Sequence, residues 1–573
     1  MVAFNQIPSV VRTPFFFIEF DGVPTDDETL DVSPALIIAQ KLAAGTADAN
    51  VPIRVIGADD APGYFGQGSH AARMVKLFRK NNPSKELWVI PLADNGSTKM
   101  TNVVDVTGPA TEGGAVYFYI AGQQIVATVA SGDTAETIAG TLRDAISDAP
   151  ELPVEYLAAS ITAKTKTYAV EADDETFTVA AHGLANGDPV TFANIVGSTG
   201  ILVSTTYYVA GATTNTFTLT SDAAGLTPVL ITLDGSGDVL YTNRWQITLK
   251  AKNAGTLGND IDFRTNYLGS AAGERLPAGV TVTPAQTVAG ATDPSLSTAI
   301  TAMGTEGYDY VLCPFATTAI LDALKTEMDT RWAYNRQIYG HVVSGKRETA
   351  ANLLTFGDGR NNRHETVFGF YDYPSPVWDI VGAAGGQLSN LLDSDPALPE
   401  QSLQLAGIVF PKIGSTGRFT DAQREALLEG GVATFTVGRN SCALERAITS
   451  YQTNAQDIAD TTYLDIQTAF TMMRCARYMK RRVVSKFGRK KLASDGSRLP
   501  AESNVVTPSV VFNELVMVYG DLIELGWVED MDWFKSNAKV VRDPNDVNRL
   551  NVLFPPDFVN QLRVFATLFR FKQ

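Results

Sequence analysis

The chain reads as a multidomain α/β and β protein. One discontinuous α/β domain is interrupted by inserted β-rich domains, an α+β C-terminal portion follows, and each end carries an extended strand-forming arm. Three observations predict this. Buried-strand and amphipathic-helix runs alternate early, stop near Asn95-Gly96 and resume near residue 293. Short Gly- and Thr-punctuated β runs fill the interval. Both termini are dense in aromatic and branched apolar residues.

The first α/β stretch contains PALIIAQKL and VPIRVIG as two buried strands, the helix HAARMVKLFRKNN and the strand ELWVIPLA. Beyond Asn95-Gly96 come AVYFYIAG, QQIVATVA, a helix from Thr134 to Ile146, and LPVEYL. ITAKTK (161–166) and ITLKAKNAGTLGNDI (247–261) read as two sides of one interrupted strand. Between them ETFTVA, DPVTFA, TTYYVA, NTFTLT and PVLITL alternate regularly between turns, which predicts a small autonomous β-sandwich or barrel. The α/β pattern resumes with the helix STAITAMGTEG, the strand YDYVLCPF, a helix around ILDALKTEMDTRW and the strand NRQIYGHV. After the Pro-rich DPALPE stretch, GGVATFTVG and ALERAITSY predict a hairpin around Gly438 to Ser441. A long helix follows from about Tyr463 to Phe487, with Ile466, Phe470, Met473, Cys475, Ala476 and Met479 as its apolar stripe.

The organisation this implies is residues 1–20 as an N-terminal arm, 21–97 plus 293–395 as the discontinuous α/β domain, and 98–163 plus 244–292 as an inserted β-rich domain. Residues 164–243 form a nested β module, 396–557 the C-terminal domain and 558–573 a C-terminal arm. At 573 residues, 45% apolar and 19% charged, the chain has ample material for several cores. Three scattered cysteines fit a reducing compartment better than a disulfide framework. No run approaches the ~20 apolar residues of a membrane helix, and the N-terminal apolar patch is too short for a cleaved signal, so a soluble protein without membrane insertion is expected.

Chain ends ordinarily fray, because ordering them costs backbone entropy for few contacts. Here the N-terminal run includes Val11, Phe15, Phe17 and Ile18, and the C-terminal run includes Val564, Phe565, Phe569 and Phe571. Pro8 and Pro14 suit an edge or extended arm. Two readings are open: each end pairs within its own subunit, or it adds a strand to a neighbouring copy.

A formal charge of −16 argues against nucleic acid as partner, since that requires a positive surface. One segment departs from this balance: between Asp465 and Asp495 no acid occurs, while Arg474, Arg477, Lys480, Arg481 and five further Lys/Arg residues do. The segment is either a basic helix facing an acidic partner or another copy, or an ordinary solvated face.

No catalytic, cofactor or metal constellation emerges. GHVVSGK, Gly340 to Lys346, has the glycine and lysine spacing of a phosphate loop, but Arg347 stands where Ser or Thr would hold Mg²⁺. Gly66-Gln67-Gly68-Ser69-His70-Ala71 loosely resembles a dinucleotide fingerprint, yet the preceding strand ends too early for the tight strand-turn-helix. His70, His182, His341 and His364 lie in separate elements without HxxxH or CxxC spacing. Cofactors are expected to be none, and the protein not to be an enzyme.

Several blocks together resemble the contractile-tail sheath proteins of bacteriophages, in their Mu-like branch. They are FGQGSHAARMVKLFRKNNPSKELWVIPL, ITLKAKNAGTLGNDIDFRTNY with PAGVTVT, YDYVLCPF, RFTDAQREALLEGGVATFTV, ERAITSYQTNAQDIADTTYLDIQT, KFGRKKLASDGSRL and NRLNVLFPPDFVNQLRV. They follow the family order and cover nearly the whole chain except about residues 164–243. The resemblance implies a subtilisin-like α/β domain in topology only, a C-terminal sheath domain against the tube, and a homopolymer of six subunits per ring. It also implies tail tube, baseplate and tail terminator proteins as partners, assembly in the host cytoplasm, and contraction that drives the tube through the host envelope. On this reading Val11 to Phe20 and Arg563 to Phe571 are linking strands, and HGLANGD (His182 to Asp188) belongs to a surface decoration. Two alternatives stand beside it: the sheath of a phage-derived bacteriocin or injection device, and an α/β enzyme binding nucleotide at Gly340 to Lys346.

Overall fold

A computed structural model describes residues 33–94, 96–497 and 504–572. The N-terminal arm, with Val11, Phe15, Phe17 and Ile18, lies outside the described residues. The chain divides into two compact units, Met1–Asp94 with Pro294–Gln573, and Asn95–Asp293.

The first unit is built on a six-stranded sheet in the order Glu365–Phe370, His341–Arg347, Tyr310–Leu312, Ala35–Gln40, Leu87–Leu92, Ile53–Arg54. The first five are mutually parallel and the last is antiparallel. All six residues of Ala35–Gln40 and of Glu365–Phe370 are buried, as expected where helices cover both faces of a parallel sheet. VPIRVIG departs from expectation. Only Ile53–Arg54 pairs, at the sheet edge, and Ile56 is exposed.

Helices His70–Asn81 and Val377–Ser394 pack closely on this sheet. A Cβ at Gly382 would lie 2.7 Å from the Met74 carbonyl oxygen, and one at Gly385 2.5 Å from Leu312 Cδ1. These two glycines let one helix approach its partner helix and a strand at once. Arg73 Nε donates to Asp379 Oδ1 at 3.1 Å and fixes the rotation of the pair. Ser69 caps the first of these helices by accepting from the Ala72 N–H, and His70 stacks on Trp378 at 4.2 Å. The glycines before Ser69 therefore serve helix entry and packing.

The strand expected at NRQIYGHV is displaced. Pairing runs over His341–Arg347, which lies between Tyr310–Leu312 and Glu365–Phe370. This corrects the nucleotide reading of Gly340 to Lys346. Its backbone is committed to two neighbouring strands, so no loop of free N–H groups exists to cradle a phosphate, and Lys346 lies over the Phe356 ring.

In the C-terminal portion a capping box of Thr420 and Gln423 opens the helix Asp421–Glu429. The hairpin Thr434–Val437 with Cys442–Arg446 forms around residues 438–441 as its sequence suggests. Ala433 bridges Phe368 in parallel, which extends the six-stranded sheet. The long helix Ile466–Phe487 and the helix Pro508–Glu524 follow.

The second unit contains two different β arrangements. A hairpin, Gly114–Ile120 with Gln123–Val129, is joined by Phe263–Thr265 and packs with the helix Ala135–Ser147. The second arrangement corrects the interrupted-strand reading. Val154–Glu171 and Gly235–Ala251 are long antiparallel neighbours, in register from Val154 opposite Ala251 to Val170 opposite Gly235, with bulges on the way. From them the pairing passes through Thr176–Thr178, Thr216–Thr220, Tyr207–Ala210 and Pro189–Val196, then returns to Gly235–Ala251, closing a barrel. Its core is aromatic: Tyr168, Phe177, Phe192, Tyr207, Phe217 and Tyr241, with Phe177 and Phe217 stacked at 5.5 Å. PVLITL contributes no strand; Leu230 and Leu233 are exposed. His182 fixes the HGLANGD turn, its Nδ1 accepting from the Leu184 N–H at 2.9 Å.

Candidate linking arm and the helix that roots it

Ile466–Phe487 lies within the first unit, its N-terminal half buried and its C-terminal half more exposed. Ile466, Ala469, Phe470, Met473, Cys475 and Ala476 are buried, and Phe470 stacks on Tyr310 at 4.7 Å. The basic residues divide accordingly. Arg474 is buried and donates to the Asp393 carbonyl at 2.9 Å and to the Leu392 carbonyl, with its carboxylate partner Asp393 at 3.3 Å. It thereby caps the C-terminal carbonyls of Val377–Ser394, where a cation is favoured by both hydrogen bonding and the helix dipole. Arg477 pairs with Asp309 at 2.6 Å.

Arg474 and Arg477 are thus held in ion pairs within their own subunit. The segment lacks acids in sequence because its acids arrive from elsewhere in the fold. Arg482 meets Glu514 at 2.9 Å and Asp521 at 3.2 Å, and Lys486 meets Glu514. Burial raises the pKa of Glu514, but the hydrogen bonds and charges of Lys486 and Arg482 outweigh it and hold the carboxyl below its ordinary value. Lys480 is half-buried, with its pKa lowered by burial, and Arg481 is exposed.

The C-terminal segment leaves the same region. Asp557–Phe558 pairs antiparallel with Val528–Glu529, and the Val559 N–H donates to the Trp527 carbonyl at 3.0 Å. Arg563 is the next firm anchor. Its guanidinium donates to Glu400 Oε2 at 3.0 Å, Asp465 Oδ1 at 3.1 Å and Gln467 Oε1 at 3.1 Å. Glu400 is 0% exposed and also accepts from the Ala447 N–H and the Gln467 amide. Asp465 is also held by Arg446 at 2.9 and 3.0 Å.

Past Arg563 the chain changes character. Val564, Phe565, Leu568, Phe569 and Phe571 are 76–85% exposed, and no strand is formed over 564–572. In an extended conformation Phe565, Phe569 and Phe571 share one face, and Val564 and Leu568 the other. Burying each such side chain is worth about 1.5–3 kcal/mol. Among the described residues nothing covers these side chains, so that stabilisation is left unused there.

Elsewhere the histidines of the first unit and the cysteines are buried. Burial pushes His70 and His341 down to about 3 and His364 to about 4, so all three are neutral imidazoles at neutral pH. Cys313, Cys442 and Cys475 are buried thiols, and burial pushes Cys442 up to about 11. Among the described residues no group of three or more His, Cys, Asp or Glu is arranged to hold a metal ion. Also among them, no helix is long and apolar enough to cross a membrane.

Sequence reasoning missed Glu400, Asp465 and Asp309 as anchors, and it counted Arg563 within the linking strand. Their partners lie about 100 to 170 positions away for most of these contacts, so local spacing carries no trace of them. The one available signal was the lone Arg between the Pro555-Pro556 stop and the aromatic run.

Comparison with known proteins gives a consistent result. The family described as phage tail sheath protein central domain matches residues 289–450, and that described as phage tail sheath C-terminal domain matches residues 459–572. The Mu-like prophage FluMu tail sheath protein of Haemophilus influenzae is 31% identical over 578 residues, covering 100% of this chain and 99% of its own. Among solved structures, the sheath tail protein of Desulfitobacterium hafniense aligns over 95% of this chain and 100% of its own, at 13% identity and a TM-score of 0.40. The contracted helical sheath of the anti-feeding prophage aligns over 98% and 100%, at 9% identity and a TM-score of 0.39. With near-complete coverage by a relative above 30% identity and both sheath domains in order, the chain belongs to the phage tail sheath protein family.

Proposed function

We propose that this subunit polymerises as stacked hexameric rings around a tail tube, and that the polymer contracts to drive the tube through the host envelope during genome delivery. It is a structural component of the virion tail, with the tube, baseplate and terminator proteins as its further partners. The observation that carries this reading is the C-terminal segment: five large apolar side chains exposed past a firm ion-paired anchor. Strand addition to a neighbouring copy satisfies both its backbone and its side chains. On the same reading residues 1–20 form the matching N-terminal link, 396–557 face the tube, and the barrel within 164–243 points outward, where it does not obstruct stacking. The sheet-bearing domain keeps its subtilisin-like topology without protease chemistry.

The test is assembly. The full chain, and a copy ending at Arg563, are expressed alone and examined by negative-stain electron microscopy, with and without purified tube protein. Hollow striated tubes are expected for the full chain and dispersed particles for the shortened one. Normal tubes from the shortened chain would overturn the linking role. Of Arg474, Arg477, Lys480 and Arg481, the last is exposed and Lys480 half-buried, and the double variant Lys480→Glu, Arg481→Glu tests them separately. A weaker, more salt-sensitive association with the tube is expected, by about 1 kcal/mol or less per exposed pair; unchanged association would remove them from the interface.

A further inference from the structure

The anchor at Arg563 has a counterpart at the other end of the described chain. Ser33, the first described residue, donates its backbone N–H to Asp309 Oδ2 at 2.8 Å, and the Asp309 N–H donates to the Pro34 carbonyl at 3.1 Å. Asp309 is in turn held by Arg477 at 2.6 Å. Arg477 belongs to Ile466–Phe487. The acceptor of Arg563 is Asp465, the N-cap residue of that same helix, with Gln467 in its first turn. The roots of both terminal segments are therefore fastened to one helix, twelve residues apart, which is about 18 Å along its axis.

We propose that Ile466–Phe487 is a coupling rod between the two termini, with Arg563 and the Asp309–Arg477 pair as its end clamps. The proposal rests on the reading of both termini as links to neighbouring subunits, and adds that displacement of one link is transmitted to the other within a subunit. Three features support it. The clamps are charge-assisted and shielded: Glu400 is 0% and Asp309 2% exposed. Removing one partner from such a pair leaves an unpaired buried charge, so each clamp is held or released with little slack between. The helix between them is packed against the sheet through Phe470 and against the end of Val377–Ser394 through Arg474, which keeps it from bending. Finally, Asp465 makes no side-chain cap to its own helix. Its carboxylate is engaged by Arg446 and Arg563 instead, so the helix start registers whether Arg563 is seated.

Hydrogen exchange by mass spectrometry on the full-length chain tests the coupling without requiring assembly. Arg563→Met is expected to raise exchange several-fold at Phe558 and Val559, near its own root, and also at Ser33 to Leu36. Arg477→Met is expected to do the reverse, since coupling between two sites is reciprocal. Arg477→Lys, which keeps the charge, should restore most of the protection. The double variant should differ little from either single one, as for residues acting through one element. An effect confined to the mutated root overturns the coupling while leaving each clamp in place. An equal rise across Glu365–Phe370 also overturns it, because general loosening would then explain the data. Failure of the linking reading is separately visible as normal tubes from the chain ending at Arg563.

Discussion

The barrel between Val154–Glu171 and Gly235–Ala251 and the C-terminal segment past Arg563 are written in the same alphabet. Both alternate aromatic or branched residues with small and polar ones. In the barrel Tyr168, Phe177, Phe192, Phe217 and Tyr241 are buried against one another. In the terminal segment Phe565, Phe569 and Phe571 stay exposed. The difference is closure. The barrel strands return to their starting strand and leave no edge, whereas the terminal segment pairs with no strand among the described residues. Alternation specifies that a strand forms; it does not specify whose sheet it joins.

The largest expected effect follows from this contrast. Removing residues 564–573 should abolish polymerisation, while replacing residues 168–241 by a short Gly-Ser linker should leave it intact, because the barrel is closed. Electron microscopy of both variants is the measurement. Tubes from the first, or none from the second, would show that strand closure does not decide which segment links subunits. Retained tubes with a smaller outer diameter in the second would place the barrel on the outside of the polymer.

The same distinction explains what could be read in advance. The α/β pattern, the hairpin at Gly438 to Ser441, the long helix and the barrel were legible because each is encoded by local periodicity and turn chemistry. Misreadings arose where partners were distant. ITAKTK and ITLKAK read as two sides of one interrupted strand, yet they belong to two antiparallel neighbours that bring Ile161 opposite Ile247. Arg474 and Arg477 looked like surface charge because their acids, Asp393 and Asp309, come from other elements. GHVVSGK looked like a loop because its spacing is that of one, although Val342, Val343 and Ser344 are core residues of a strand.

A second effect concerns single aromatic residues. Phe177→Ala removes a ring from a closed core and should destabilise the barrel by about 3–5 kcal/mol. Exchange at Phe217 to Leu219 should rise accordingly, with assembly unchanged. Phe569→Ala should leave the stability of the dispersed chain within about 0.5 kcal/mol and weaken the polymer instead. Comparable loss of monomer stability from both would show that Phe569 has a partner within its own subunit.

The smallest effect separates the two regions by acid sensitivity. His70, His341 and His364 all lie in the unit that carries the terminal segment, and burial holds each neutral. An unfolded histidine binds a proton below about 6.5, whereas the folded His70 does so only near 3. Between these values the unfolded state holds the extra proton, so the stability present above pH 6.5 is lost as the pH falls, by up to about 1.4 kcal/mol per pH unit for each histidine. His70→Phe preserves a ring against Trp378 and removes one proton from this linkage. Relative to the parent, the variant should gain about 2 kcal/mol between pH 7 and pH 5, measured by urea unfolding followed through tryptophan fluorescence. That probe reports mainly on this unit, since Trp88, Trp332, Trp378, Trp527 and Trp533 belong to it and Trp245 alone to the other. Parallel pH profiles for parent and variant would mean that His70 takes up its proton at the same pH in the folded protein as in the unfolded chain, and would overturn its part in the acid sensitivity.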